Sequence, residues 1–214
     1  MKVIKEPIEK DLDLILNNYW ENFNILFPLV TQEQFINWIN EDIYGGWEEA
    51  NHIHAGGRRE LKMLYATIRA IKPKDILEIG TYDGHSTDHI LLAAENNQKE
   101  GFECRVTTVD INDYVKNRQL HNFPLKKFIE PCVTHLKSNN HYDFIMQDGD
   151  HSPQAVNTEL QLFKTLPNLK TVWSHDYYLR GTLEPTFTQN KDMWASNFPF
   201  KEEAYVAGFH IGLI

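Results

Sequence analysis

Cysteine is scarce: Cys104 and Cys132 are the only two among 214 residues, and they form no C-x-x-C pair. That argues against a disulfide scaffold and against a zinc site. No apolar run approaches the length needed to cross a bilayer, and the charge-interrupted residues 1–10 do not read as a signal peptide. Basic residues are outnumbered 21 to 30, for a formal net charge of −9. Binding to phosphate backbones depends on clustered Lys and Arg, and only Arg58-Arg59 and Lys126-Lys127 supply local basic pairs. Neither a nucleic-acid nor a membrane partner is expected, and a cytoplasmic setting is the default. Internal repeats and low-complexity segments are also missing. The hydrophobic share of 42% and charged share of 24% are those of an ordinary globular chain.

The length suits one α/β domain with an N-terminal extension. Apolar Ile8, Leu12, Ile15, Leu16, Tyr19 and Phe23 recur at helical spacing and predict a helix over 8–23. Pro28 interrupts the pattern. Thr31, with Glu33 and Gln34 behind it, reads as the cap of a second helix running to Ile43. A third helix, 59–71, carries Leu61, Leu64, Tyr65, Ile68 and Ile71 on one face. Beyond Lys74, strands and helices alternate, which is the mark of a parallel sheet. Strands are expected at 75–79, 105–109, 126–130, 142–147 and 170–175, with helices at 84–97, 112–120, 133–138 and 153–165. A last strand is expected near 203–213.

The most informative stretch is Asp75-Ile76-Leu77-Glu78-Ile79-Gly80-Thr81-Tyr82-Asp83-Gly84-His85-Ser86-Thr87. A buried strand runs into a glycine turn and then into a helix. Gly80 is free to take unusual backbone angles and to let a ligand approach the main chain. The helix start offers unpaired N–H groups. Glu78 could accept hydrogen bonds from ligand hydroxyl or ammonium groups. The dinucleotide fingerprint is G-x-G-x-x-G; here the spacing is G-x-x-x-G and Tyr82 stands where the middle glycine would be. Polar residues recur at the ends of the strands: Glu78, Asp110, Glu130, Asp148, and the pair His175-Asp176. Open parallel sheets bind ligands beyond those ends. Asp110 can take both hydroxyls of a ribose, and Cys132 would border a nucleobase or simply pack. Asp148-Gly149-Asp150-His151 faces His175-Asp176 if the two strands are neighbours, and the set suggests either a cation site or a histidine base.

These motifs resemble the class I S-adenosylmethionine (SAM) methyltransferases, and from about Gly57 onward their small-molecule O-methyltransferase branch. Relatives within that branch include the catechol, caffeoyl-CoA and macrolide-sugar O-methyltransferases and the cephalosporin-hydroxylase-like group. The resemblance rests on Leu77 to Ser86, on Asp110, on Asp148 to His151, on His175-Asp176, and on Gly57-Arg58-Arg59-Glu60 with Leu61 and Tyr65. It implies a doubly wound, mostly parallel Rossmann-like sheet with helices on both faces and an antiparallel last strand. It also implies a SAM-binding domain over 57–214; residues 1–56 match no part of it and read as an N-terminal helical cap or an oligomer contact. Cofactor contacts are implied at Glu78, Gly80, Thr81, Gly84, His85, Ser86, Asp110, Ile111, Cys132 and Asp148. Asp148, His175 and Asp176 would hold Mg²⁺ or Mn²⁺, the His-Asp pair departing from the usual acid pair. His151, His175 and Asp148 are the candidate catalytic groups, and Trp173, Tyr177, Tyr178 and Trp194 the candidate walls for an apolar acceptor. The implied partner is a small hydroxyl acceptor, with homo-oligomerisation through the N-terminal region. An NAD-dependent oxidoreductase or epimerase on the same sheet, and a non-catalytic SAM-fold binding protein, are the alternative readings.

Overall fold

The computed structural model describes residues 12–44, 58–116, 118–175, 202–206 and 209–214. Three helices come first: α1 (Leu12–Leu26), α2 (Gln32–Glu41) and α3 (Arg58–Ile71). Then follow β1 (Asp75–Ile79), α4 (His85–Lys99), β2 (Arg105–Asp110), β3 (Leu125–Ile129), α5 (Cys132–Ser138), β4 (Phe144–Gln147), α6 (Pro153–Phe163) and β5 (Thr171–His175). Two short strands, β6 (Glu202–Val206) and β7 (Phe209–Leu213), close the chain. Thr31 caps α2 as its sequence suggests: its hydroxyl accepts from Gln34 N, and the Gln34 side chain accepts from Thr31 N.

The seven strands lie in the order β3-β2-β1-β4-β5-β7-β6. The first five are mutually parallel, and β7 pairs antiparallel with both β5 and β6. β2 and β4 therefore flank β1 on opposite sides, so the connections leave in opposite directions and a crevice opens between them. Side chains alternate between two cores. Ile76, Phe144, Met146 and Trp173 join a cluster with Phe23, Phe35, Leu64, Ile90 and Leu91. Leu77, Ile79, Ile145 and Val172 join Leu136, Leu160 and Phe163 on the other face. With helices covering both faces, the strands must be apolar on both, which is why they read as continuous hydrophobic runs. Phe23 of α1 and Phe35 of α2 stack within the first core at 4.7 Å between ring centroids, so both helices bury their aromatic faces against the same layer as α3 and α4.

Two expectations are corrected. Residues 112–120 form turns, not a helix, among those described. Asp110 Oδ1 accepts from Asn112 N, a local bond that competes with helix formation, and the segment instead ties itself to α4 through Arg118 and His121, both bonded to Asp88. The single last strand is two strands, with Val206 opposite Phe209; its continuous apolar-polar alternation hides the reversal. Among the described residues no helix is long and apolar enough to cross a membrane.

Gly80 controls how β1 meets β4. Its φ is +91°, and a Cβ added there would lie 2.1 Å from the Asp148 carbonyl oxygen. Gly101 shares that φ of +91° but has open space around it. Gly101→Ala should therefore cost about 1–2 kcal/mol, the penalty of a left-handed residue alone. Gly80→Ala should cost at least about 2 kcal/mol more, because backbone must shift. Urea unfolding of both variants measures the difference; equal losses would contradict the packing argument.

Candidate functional site

Three strand ends are joined above the sheet. Gly80 N donates to Val109 O of β2, and Asp148 N donates to Ile79 O of β1, each at 2.9 Å. Asp110 and Asp148 are thereby held on either side of the β1 turn. A cavity of about 940 Å³ opens there, at the carboxyl ends of the strands. Its wall runs from Thr81, His85 and Ser86, past Asp110, Ile111 and Tyr114, to Glu130, Cys132, Asp148, His151 and His175.

The turn is shaped by hydrogen bonds rather than by glycine alone. Tyr82 has a left-handed φ of +43°, which is uncommon for an aromatic residue. Its N–H donates to Asp110 Oδ2 at 2.8 Å. The conformation that a middle glycine would supply is therefore present without one. Gly84, with φ +80°, precedes α4, and a Cβ there would meet Leu120 Cδ2 at 2.5 Å. Gly84 thus serves packing and does not line the cavity. Gly80 lines it, yet the space its side chain would fill belongs to Asp148, so its lack of a side chain serves the strand junction rather than ligand approach.

Glu78 departs most from the expected ligand contact. It is fully buried and lies outside the cavity wall. Its two carboxylate oxygens accept from Ser86 Oγ at 2.6 Å and Thr87 Oγ1 at 2.7 Å. The acid therefore ties the end of β1 to the first turn of α4. Burial pushes its carboxyl up to about 7, against the opposing pull of the Ser86, Thr87 and Thr108 hydroxyls. Thr81 Oγ1 pairs with Thr108 Oγ1 at 2.5 Å, fixing the turn to β2.

Asp110 and Asp148 both face the cavity. Asp110 accepts from Tyr82 N and Asn112 N, one bond to each oxygen, which leaves lone pairs for a diol. Asp148 Oδ1 lies 3.1 Å from His175 Nδ1 and 3.5 Å from His151 Nε2. The register that sets Gln147 opposite Ser174 makes this meeting a consequence of the parallel β4–β5 pair. His175 Nε2 lies 2.9 Å from Glu60 Oε2, on α3. Both ring nitrogens of His175 thus face carboxylates, and only a doubly protonated ring can donate to both. Asp176, Tyr177, Tyr178 and Trp194 lie outside the described residues. Among the described residues no group of three or more His, Cys, Asp or Glu side chains could hold a metal ion. Trp173, proposed as an acceptor wall, is instead buried in the first core, stacked on His175 at 6.0 Å.

Cys132 and His85 line the cavity, as expected. Burial raises the Cys132 thiol, with the Glu159 carboxylate adding to the effect. His85 Nδ1 is buried without a hydrogen-bond partner, and burial lowers its imidazole toward neutrality. The sequence reading overlooked Glu60 and Glu159. Glu60 sits on α3 ahead of the sheet, and Glu159 on α6 at no strand end. Glu159 is 5% exposed and its carboxyl is pushed up to about 7 by burial. The available signal was an acid amid the apolar face of a helix, Val156, Leu160 and Phe163.

Raised carboxyls make stability depend on pH in a defined direction. Glu78 titrates about 7 in the fold against an ordinary 4.5. Folding therefore favours its protonated form: the stabilisation is complete below the ordinary value and is lost as pH rises through the folded one. Glu78→Gln should flatten the fall in unfolding free energy between pH 5 and 8 by up to about 3 kcal/mol. Urea titrations at the two pH values check this, and an unchanged slope would contradict it.

Residues 77–177 match the family model described as a methyltransferase domain. No curated protein matches the chain. Among solved structures, the SAH-bound methyltransferase PaMTH1 of Podospora anserina superposes with a TM-score of 0.60 at 13% identity, covering 99% of this chain and 98% of that one. The Bacillus cereus O-methyltransferase in complex with SAH gives 0.56 at 14% identity, over 93% and 99%. The O-methyltransferase TomG of Streptomyces achromogenes, in complex with SAM, gives 0.57 at 14%, over 75% and 81%. At these identities the likeness is one of fold, and it agrees with the matched span and with the sheet order. The matched span and the sheet order agree on a methyltransferase fold, the one these O-methyltransferases share.

Proposed function

We propose that this protein transfers the methyl group of SAM to a hydroxyl of a small-molecule acceptor. One observation carries the reading: a single cavity holds Asp110 on one side and the Asp148–His175–His151 group on the other. The first suits a ribose and the second a reacting hydroxyl. SAM supplies a methyl already activated on a sulfonium, so the protein has to bind, orient and accept a proton. The residues fit that ligand. Asp110 presents free lone pairs to a diol, and the His85 ring lines the cavity beside the β1 turn. SAM and SAH occupy the related B. cereus, P. anserina and S. achromogenes proteins, which supports the same cofactor here. The net charge of −9 supports a small acceptor over a nucleic acid.

Within this reading the histidines divide the work. His175, bridging Asp148 and Glu60, is a fixed donor that holds Asp148 in place. His151 stands at the cavity wall with its Nε2 toward Asp148, and it takes the acceptor's proton as general base. A divalent ion shared by Asp148 and Asp176 would activate the hydroxyl instead.

SAH at a hundred times its dissociation constant should stabilise the protein by about 2.7 kcal/mol, while NAD leaves the melting temperature unchanged. Stabilisation by NAD and not by SAH would reject the cofactor assignment. Asp110→Ala should weaken SAH binding by about tenfold or more in calorimetry, since charge-assisted bonds to a diol are lost. Turnover should survive EDTA and fall by about a hundredfold or more in His151→Ala. Activity abolished by EDTA and restored by Mg²⁺ or Mn²⁺ would replace the histidine base with the metal.

A further inference from the structure

The cavity wall has an order along the sheet that the proposed cofactor must follow. Along the strand order the start of α5 lies at one end, Asp110 and then the β1 turn come next, and Asp148 with His175 lies at the other end. If Asp110 holds the ribose, the amino-acid portion lies toward the β1 turn and Asp148. The nucleobase then lies toward Cys132, Val133 and Ala155, whose small apolar side chains suit a flat ring.

That end of the cavity contains one deeply buried acid, Glu159. It reaches the cavity from α6, and its Oε1 lies 3.8 Å from where a Cβ on Gly149 would stand. Its Oε2 accepts from Gln147 Nε2 at 3.2 Å. No Lys or Arg is paired with it among the described residues. One neutral donor leaves most of its acceptor capacity unused, since a carboxylate offers about four lone-pair sites. The neighbouring acids are less buried and face other groups: Glu130 Oε1 lies 2.8 Å from His135 Nδ1, and Asp150 Oδ1 accepts from Ser152 N at 2.8 Å. A carboxyl kept out of water, beside a flat apolar slot, is costly unless a ligand donor meets it.

We propose that Glu159 reads the amino edge of the nucleobase, accepting a hydrogen bond from the exocyclic amine of a 6-aminopurine. This rests on the cofactor reading above and adds a specificity residue to it. At a pH above about 8, where its raised carboxyl is ionised, the side chain rejects a 6-oxopurine, whose carbonyl would face the carboxylate oxygen with no proton between them.

Calorimetry with S-adenosylhomocysteine and S-inosylhomocysteine at about pH 8.5, where Glu159 is ionised, tests it. Wild-type protein should prefer the adenosyl compound by at least about tenfold. In Glu159→Gln the ratio should shrink to within about threefold, because a carboxamide can present either its carbonyl or its NH₂ group. Gln147 can still donate to that carbonyl, so the unliganded melting temperature should not fall. Glu159→Asp, which withdraws the carboxyl, should weaken adenosyl binding by about tenfold. Tight adenosyl binding with an unchanged ratio in Glu159→Gln would overturn the role of Glu159 and leave the cofactor reading intact. A wild-type ratio near one would overturn it without recourse to any variant. Binding of neither compound would sink both the cofactor reading and this inference.

Discussion

The contact on which the site depends is the approach of Gly80 to the Asp148 carbonyl. Nothing larger than hydrogen fits between them. The backbone bonds Gly80 N to Val109 O and Asp148 N to Ile79 O continue the sheet for one residue beyond its strands. As a result the ends of β2, β1 and β4 cannot slide past one another, and the spacing between Asp110 and Asp148 is set by main chain. A site built on that spacing needs little from flexible side chains. Distances fixed by backbone lose least to thermal motion, and misplacement by an ångström is what positional catalysis tolerates worst.

Buried acids form the next layer of support. Glu78 is out of the cavity, yet it determines the cavity's floor by clamping Ser86 and Thr87 at the start of α4. A carboxyl at that depth is unfavourable in isolation. It persists because two hydroxyls and a raised pKa reduce the penalty. Asp148 is held differently, by histidines, and His175 is in turn held by Glu60 from α3. The helix that precedes the sheet thus reaches the reacting end of the cavity. α3 packs in one core with α1 and α2, so the N-terminal helices and the site share a common mechanical frame.

Much of this was legible in the sequence, and the reason is periodicity. Strands buried on both faces read as apolar runs, and β1 appears over the residues predicted, 75–79. Parallel neighbours bring strand ends together, so Asp148 and His175 could be paired from their positions alone; they lie 3.1 Å apart. The helix expected over 112–120 failed because Asp110 bonds the backbone of Asn112, and such local competition leaves no periodic trace. The hairpin of β6 and β7 failed because a reversal between two alternating strands preserves the alternation.

The sequence by itself determined the alternating sheet, the glycine turn and the acids that end its strands, since each depends on neighbours along the chain. Which of those acids meets the cavity was decided only in three dimensions. Glu78 and Asp110 end adjacent strands and look alike as letters. In the fold one side chain turns toward α4, where hydroxyls consume it, and the other turns to the cavity. Glu60 and Glu159 carry no strand-end signature at all. They reach the site from α3 and α6, which pack on opposite faces of the sheet; Glu60 meets His175 across 115 residues of chain and Glu159 meets Gln147 across 12, and such side-chain convergence is a property of packing rather than of local order.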